Sequence, residues 1–85
     1  MKENKKLFYI EYETKDNCNV SVPIFCKNIY SLVRTKEFKK AVQEQNGFGV
    51  ITVGHKGSYV GSIEVRDGEY EFGIFPAQFT AVDVE

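Results

Sequence analysis

The chain has 85 residues, 42% hydrophobic and 27% charged, with seven Phe, five Tyr and a formal net charge of −1. That length leaves room for one domain around one core, and this aromatic content excludes a disordered chain. A sequence pI near 5.8 is far from the strongly basic footprint of a dedicated nucleic-acid-binding domain.

Residues 1–6 are polar and charged and read as a flexible N-terminal tail. A secretory signal would follow such charges with a continuous apolar stretch, but the run from Leu7 is broken by Glu11 and Glu13. No segment approaches the roughly 18 apolar residues of a membrane span. The expectation is a cytoplasmic protein without membrane contact. Cys18 and Cys26 are too few for a disulfide scaffold or a zinc framework. One hairpin could bring them close, yet a reducing compartment would keep both as thiols. Cys26 falls in phase with apolar neighbours, as a small core residue does.

Taken in chain order, residues 7–13 alternate, with Phe8, Ile10 and Tyr12 on one face and Tyr9, Glu11 and Glu13 on the other. The cluster at 15–19 is a turn by composition. Val20, Val22, Ile24 and Cys26 then alternate with Ser21, Pro23 and Phe25, so the two runs predict a β-hairpin. Pro23 cannot donate to a ladder, which favours an edge position for its strand. Residues 28–47 fail as one continuous helix, because Ile29, Leu32 and Val33 point away from Phe38, Ala41 and Val42 at 3.6 residues per turn. Split at Thr35, the pattern works. Thr35 caps a helix of about three turns whose inner face is Phe38, Ala41, Val42 and Gln45, and Asn46-Gly47 stops it. Residues 28–34 become a separate helical turn or an ordered connection carrying Leu32 and Val33 into the core. Strands follow over 48–53 and 59–65 around a loop at 54–58, then over 70–75. Asp67-Gly68 suits a type I′ hairpin turn. A last strand over 79–84 would return to the sheet edge.

The fold class is therefore α+β: a two-layer antiparallel sheet of 5–6 strands with one helix, in the order ββ-α-βββ. That order is also β-grasp-like. The ending Asp83-Val84-Glu85 is not a diglycine and gives no support to a conjugation role.

Catalysis needs a positioned base, nucleophile or metal, and nothing here has that signature. The one histidine, His55, reads as an exposed turn residue, so no catalytic residue, metal or cofactor is expected. His55, Lys56, Gly57 and Ser58 offer a different candidate, an anion nest for a small anionic ligand or nucleotide. Neither phosphate-loop fingerprint accompanies them, since those join a strand to a helix and this loop joins two strands. Charge is uneven. Residues 27–57 carry a balance of +4, including Lys36, Lys39 and Lys40 on the outer face of the helix, and residues 58–85 carry −5. The lysines form a basic face that could touch phosphates, but lysines on an outer helix face are usually solvated, and nucleic-acid binding is the weakest of the readings.

The aromatics point to a protein partner. A sheet covered on one side should be polar on the other, yet Tyr9, Phe25, Phe75 and Phe79 are candidates for that outer side, as at a protein–protein or homodimer interface; the alternative is that the sheet curls or the C-terminal segment folds back and covers those rings. The sequence therefore predicts a non-enzymatic interaction module, a small modulator or inhibitor of a larger protein. Phage-encoded inhibitors of bacterial defence systems are one class of such small chains.

Overall fold

Residues 5–80 are described in a computed structural model of the chain. Its elements are β1 (Lys6–Glu13), β2 (Asn19–Cys26), α1 (Ile29–Leu32), α2 (Lys36–Glu44), β3 (Gly49–His55), β4 (Ser58–Arg66), β5 (Glu69–Phe72) and α3 (Ala77–Thr80). The strands form one sheet in the order β2-β1-β3-β4-β5. Every pairing is antiparallel. A β-grasp sheet joins its first and last strands in parallel. Here β1 lies beside β3, so the element order matches that arrangement and the strand pairing does not. The polar residues 1–4 lie outside the described residues, and β1 already begins at Lys6.

Alternation assigns the two faces. Phe8, Ile10 and Tyr12 stand opposite Ile24, Val22 and Val20 across the β1–β2 ladder. Ile51 faces Ile63, and Ile63 faces Phe72. This inner face packs against Ile29, Leu32, Val33, Phe38 and Ala41 from the helical segments, in a single core. A fully buried residue such as Ile10, Ile51 or Ile63 contributes roughly 1.5–3 kcal/mol by leaving water.

The break at Thr35 is where the sequence pattern predicts it. The Thr35 hydroxyl accepts from Phe38 N (3.2 Å), capping α2, and donates to Leu32 O (2.7 Å), closing α1. Asn28 caps α1 through Ser31 N at 2.8 Å. At the far end of α2, Asn46 N donates to Gln43 O and Gly47 N to Val42 O, a Schellman stop with Asn46 in the left-handed region. Gln45 is buried as expected, and its Nε2 donates to Val50 O.

Two hairpin turns are of the type I′ kind. Asp67 and Gly68 both have positive φ, as do Lys56 and Gly57. The loop expected at 54–58 therefore shrinks to two residues, and His55 ends a strand.

The largest difference from the sequence pattern lies after β5. The strand stops at Phe72, and residues 73–76 carry the chain over the inner face instead of along the sheet. Gly73 N donates to Ser62 O (2.9 Å), and the ring of Phe75 lies against Gly61. Phe79 belongs to α3 and packs edge-on against Phe8 at 5.5 Å. The expected strand over 79–84 is thus replaced at its start by a helical turn, and residues 81–85 lie outside the described residues.

Tyr12 ties the sheet to α2 by donating to Glu44 Oε1. Burial first, then this bond and the Glu44 charge, pushes the Tyr12 hydroxyl up to about 12 from its ordinary value near 10. The folded state therefore favours neutral tyrosine. This contribution to stability is fully present below pH 10 and is lost as pH rises from 10 through 12. Tyr12→Phe should cost about 1 kcal/mol at neutral pH. Urea titrations at stepped alkaline pH should show a shallower loss of stability for the variant than for the parent chain.

Candidate functional site

All of the described helical segments lie on one side of the sheet, which leaves the other side open. Cross-strand register arranges that outer face in rows. Phe25 stands opposite Leu7. The next row is Pro23, Tyr9, Gly54 and Tyr59, one residue from each of four strands. Behind it come Ser21, Glu11, Thr52 and Ser62. Carboxylates crowd the far end, with Glu13 on β1 and the facing pair Glu64 and Glu71. The face is thus apolar and aromatic at one end, and at the other carboxylates surround the exposed Val50, which stands opposite Glu64.

Tyr9 and Phe25 are on this face as the sequence predicts, 39% and 63% exposed. Phe75 and Phe79 are not. Phe75 is half-buried over Gly61 on the inner side, and Phe79 is only 3% exposed between Phe8 and His55. Strands over 70–75 and 79–84 would keep both rings on the sheet. The turn after Phe72 sends them inward, where they cover the core.

Tyr59 takes their place, 68% exposed, and simple alternation misses it. Counting back by twos from Val65, Ile63 and Gly61 would put Tyr59 on the inner face. A β-bulge between the Val53–Gly61 and Gly54–Tyr59 pairs leaves Val60 without a partner, which turns Tyr59 outward. Val60 packs against the core instead. The sequence signal was Gly54 and Gly61 flanking the irregularity, since glycine inside a strand pattern often marks a bulge or a close approach.

The anion-nest residues line two adjoining shallow grooves. His55 Nδ1 lies 2.9 Å from Leu7 O, and its ring packs on Phe8 and Phe79 at 5.4 and 5.1 Å. It is a packed residue at the end of a strand, where the sequence pattern had suggested an exposed turn. His55, Lys56 and Gly57 line one groove with Lys5, Lys6, Leu7 and Tyr9, and Gly57 and Ser58 line the neighbouring one with Tyr59. Lys36, Lys39 and Lys40 are exposed on α2 as expected, and Lys40 approaches Glu44 at 4.0 Å.

Cys18 is exposed just before β2 and Cys26 is buried at its end. A strand rises about 3.3 Å per residue, so the two thiols sit far beyond disulfide reach. Burial pushes the Cys26 thiol up to about 11 despite Lys5 and Lys6 nearby. Among the described residues no group of three His, Cys, Asp or Glu side chains is placed to hold a metal ion. No helix among them is long and apolar enough to cross a membrane.

No protein-family model, curated protein or solved structure matches the chain.

Proposed function

We propose that the chain is a non-enzymatic interaction module that binds a larger protein through the helix-free face of its sheet and so modulates or inhibits it. The observation that carries this reading is the cluster of Leu7, Tyr9 and Phe25 on β1 and β2 with Tyr59 across β3, all exposed on that face. Burying such rings against a partner releases water from a large apolar area, and tyrosine and phenylalanine are enriched where interfaces are tightest. The free edges are weaker candidates. β5 is four residues long and carries Glu69 and Glu71, and Pro23 interrupts the donors of β2. In this reading the protein works in a reducing, cytoplasmic setting, where Cys18 and Cys26 remain thiols.

The test compares capture of host proteins by three tagged forms with matched circular dichroism. The parent chain and a Lys36→Gln/Lys39→Gln/Lys40→Gln variant should retain the same protein. A Leu7→Ser/Phe25→Ser variant should lose it. Retention by this last variant would sink the proposal.

A further inference from the structure

The open face has a shape as well as a composition. Tyr9 and Tyr59 stand in one row with Gly54 between them, and they line a groove with Glu11, Thr52 and Ser58. Neighbouring strands are about 4.8 Å apart, so the two tyrosines leave their strands roughly 10 Å from each other. A planar group in van der Waals contact with a ring on each side needs about 7–8 Å between the rings. Gly54 keeps the floor of this slot clear. Its φ is not in the left-handed region, so glycine is not needed there for backbone freedom. A Cβ would stand 3.3 Å from Ser58 O and would begin to fill the slot.

Charge selects what fits. Glu11 is exposed in the row next to Tyr9, and its carboxylate makes no ion pair among the described residues. Beyond it the face carries Glu13, Glu64 and Glu71, with Arg66 held by Glu64 at 2.7 Å. Lys5, Lys6 and Lys56 lie on the other side of Tyr9. A cation entering the slot meets two tyrosines that line it and the nearby Glu11 carboxylate, and the lysines orient it toward the Glu11 side. The same carboxylates repel a phosphate backbone, which argues against a nucleic acid on this face.

We infer that the Tyr9–Gly54–Tyr59 slot receives an arginine side chain from an extended segment of the partner protein, its guanidinium stacked between the rings and directed at Glu11. Arginine fits better than lysine because its planar group stacks on aromatic rings and meets a carboxylate in two parallel bonds. The inference rests on the sheet-face reading above and gives that surface a partner chemistry.

The test is an amide-resonance titration of the full chain with acetylated, amidated hexa-arginine, with hexa-lysine, hexa-glutamate and a single-stranded oligo-dT as comparisons. Hexa-arginine should shift Tyr9, Glu11, Thr52, Gly54 and Tyr59, and hexa-lysine should bind the same residues more weakly. Glu11→Gln should weaken hexa-arginine binding about three-fold. Tyr59→Leu, which keeps apolar bulk and removes the ring, should weaken it by roughly three-fold too, whereas Tyr59→Phe should leave it unchanged. Equal affinity for all variants, shifts confined to 64–71, or hexa-glutamate or oligo-dT binding in the slot would overturn the inference. If that happens while Leu7→Ser/Phe25→Ser still removes the captured protein, the face reading stands and only the arginine assignment falls. If Leu7→Ser/Phe25→Ser also leaves capture intact, both fall.

Discussion

Phe79→Ala should lower the unfolding free energy by about 3 kcal/mol, the range for emptying a buried phenylalanine site. For a domain of this size that corresponds to a fall in Tm of roughly 15 °C. The argument starts from α3, which is four residues long and too short to be stable alone. What holds it is the Phe79 ring, 3% exposed and packed edge-on against Phe8 and against His55. Phe8 is itself fully buried and paired with both Ile24 and His55, so a cavity at Phe79 opens at the centre of the β2-β1-β3 half of the sheet. Phe79→Leu, which refills most of the volume, should cost less than half as much. Urea unfolding of the three proteins checks this. A partner-contact residue would behave differently, with stability unchanged and binding lost. A cost below about 1 kcal/mol would show that the chain after β5 does not belong to the core.

The contrast between Phe79 and Tyr9 shows what was legible in the sequence. Wherever a strand keeps strict alternation, the faces could be assigned from the residues alone. Phe8, Ile10 and Tyr12 are inside and Tyr9 is outside, and Ile24 and Cys26 are inside with Phe25 outside. The helix break at Thr35 was legible too, because one hydroxyl serves both the end of α1 and the start of α2. Reading failed where one residue breaks the period of two. The bulge at Val60 reversed Tyr59, and the turn beginning at Gly73 reversed the fate of Phe75 and Phe79. Neither event is a local propensity. The bulge depends on how β3 and β4 pair, and the turn depends on a space above Gly61 that exists only once the sheet is formed. The arrangement of strands was out of reach for the same reason. β1 carries an apolar inner face either way, and only its pairing with β3 decides the topology. The candidate site inherits this. Tyr9 and Phe25 were visible, and the slot between Tyr9 and Tyr59 was not.

Gly61→Ala should have an effect whose sign depends on a second residue. In the parent chain a Cβ at Gly61 would overlap Cδ1 and Cε1 of Phe75, so something must move. The backbone of β4 cannot yield cheaply, because Gly61 pairs with Val53 of β3 and the next residue, Ser62, accepts from Gly73 N on the other side. The Phe75 ring must swing away, giving up its contacts with the core and its edge-on packing against Phe72 at 6.4 Å. The expected cost is about 2 kcal/mol. Phe75→Ala alone should cost a similar amount, through lost burial. In the Phe75→Ala background the same glycine substitution meets no ring. Gly61 has no positive φ, so alanine fits its backbone and reduces the freedom of the unfolded chain. There Gly61→Ala should stabilise by roughly 0.5 kcal/mol. A double-mutant cycle measured by urea unfolding would therefore show the two changes far from additive, with a coupling of about 2 kcal/mol or more. Additive costs would mean that the Phe75 ring does not rest on Gly61, and the covering of the inner face by residues 73–80 would have to be redrawn.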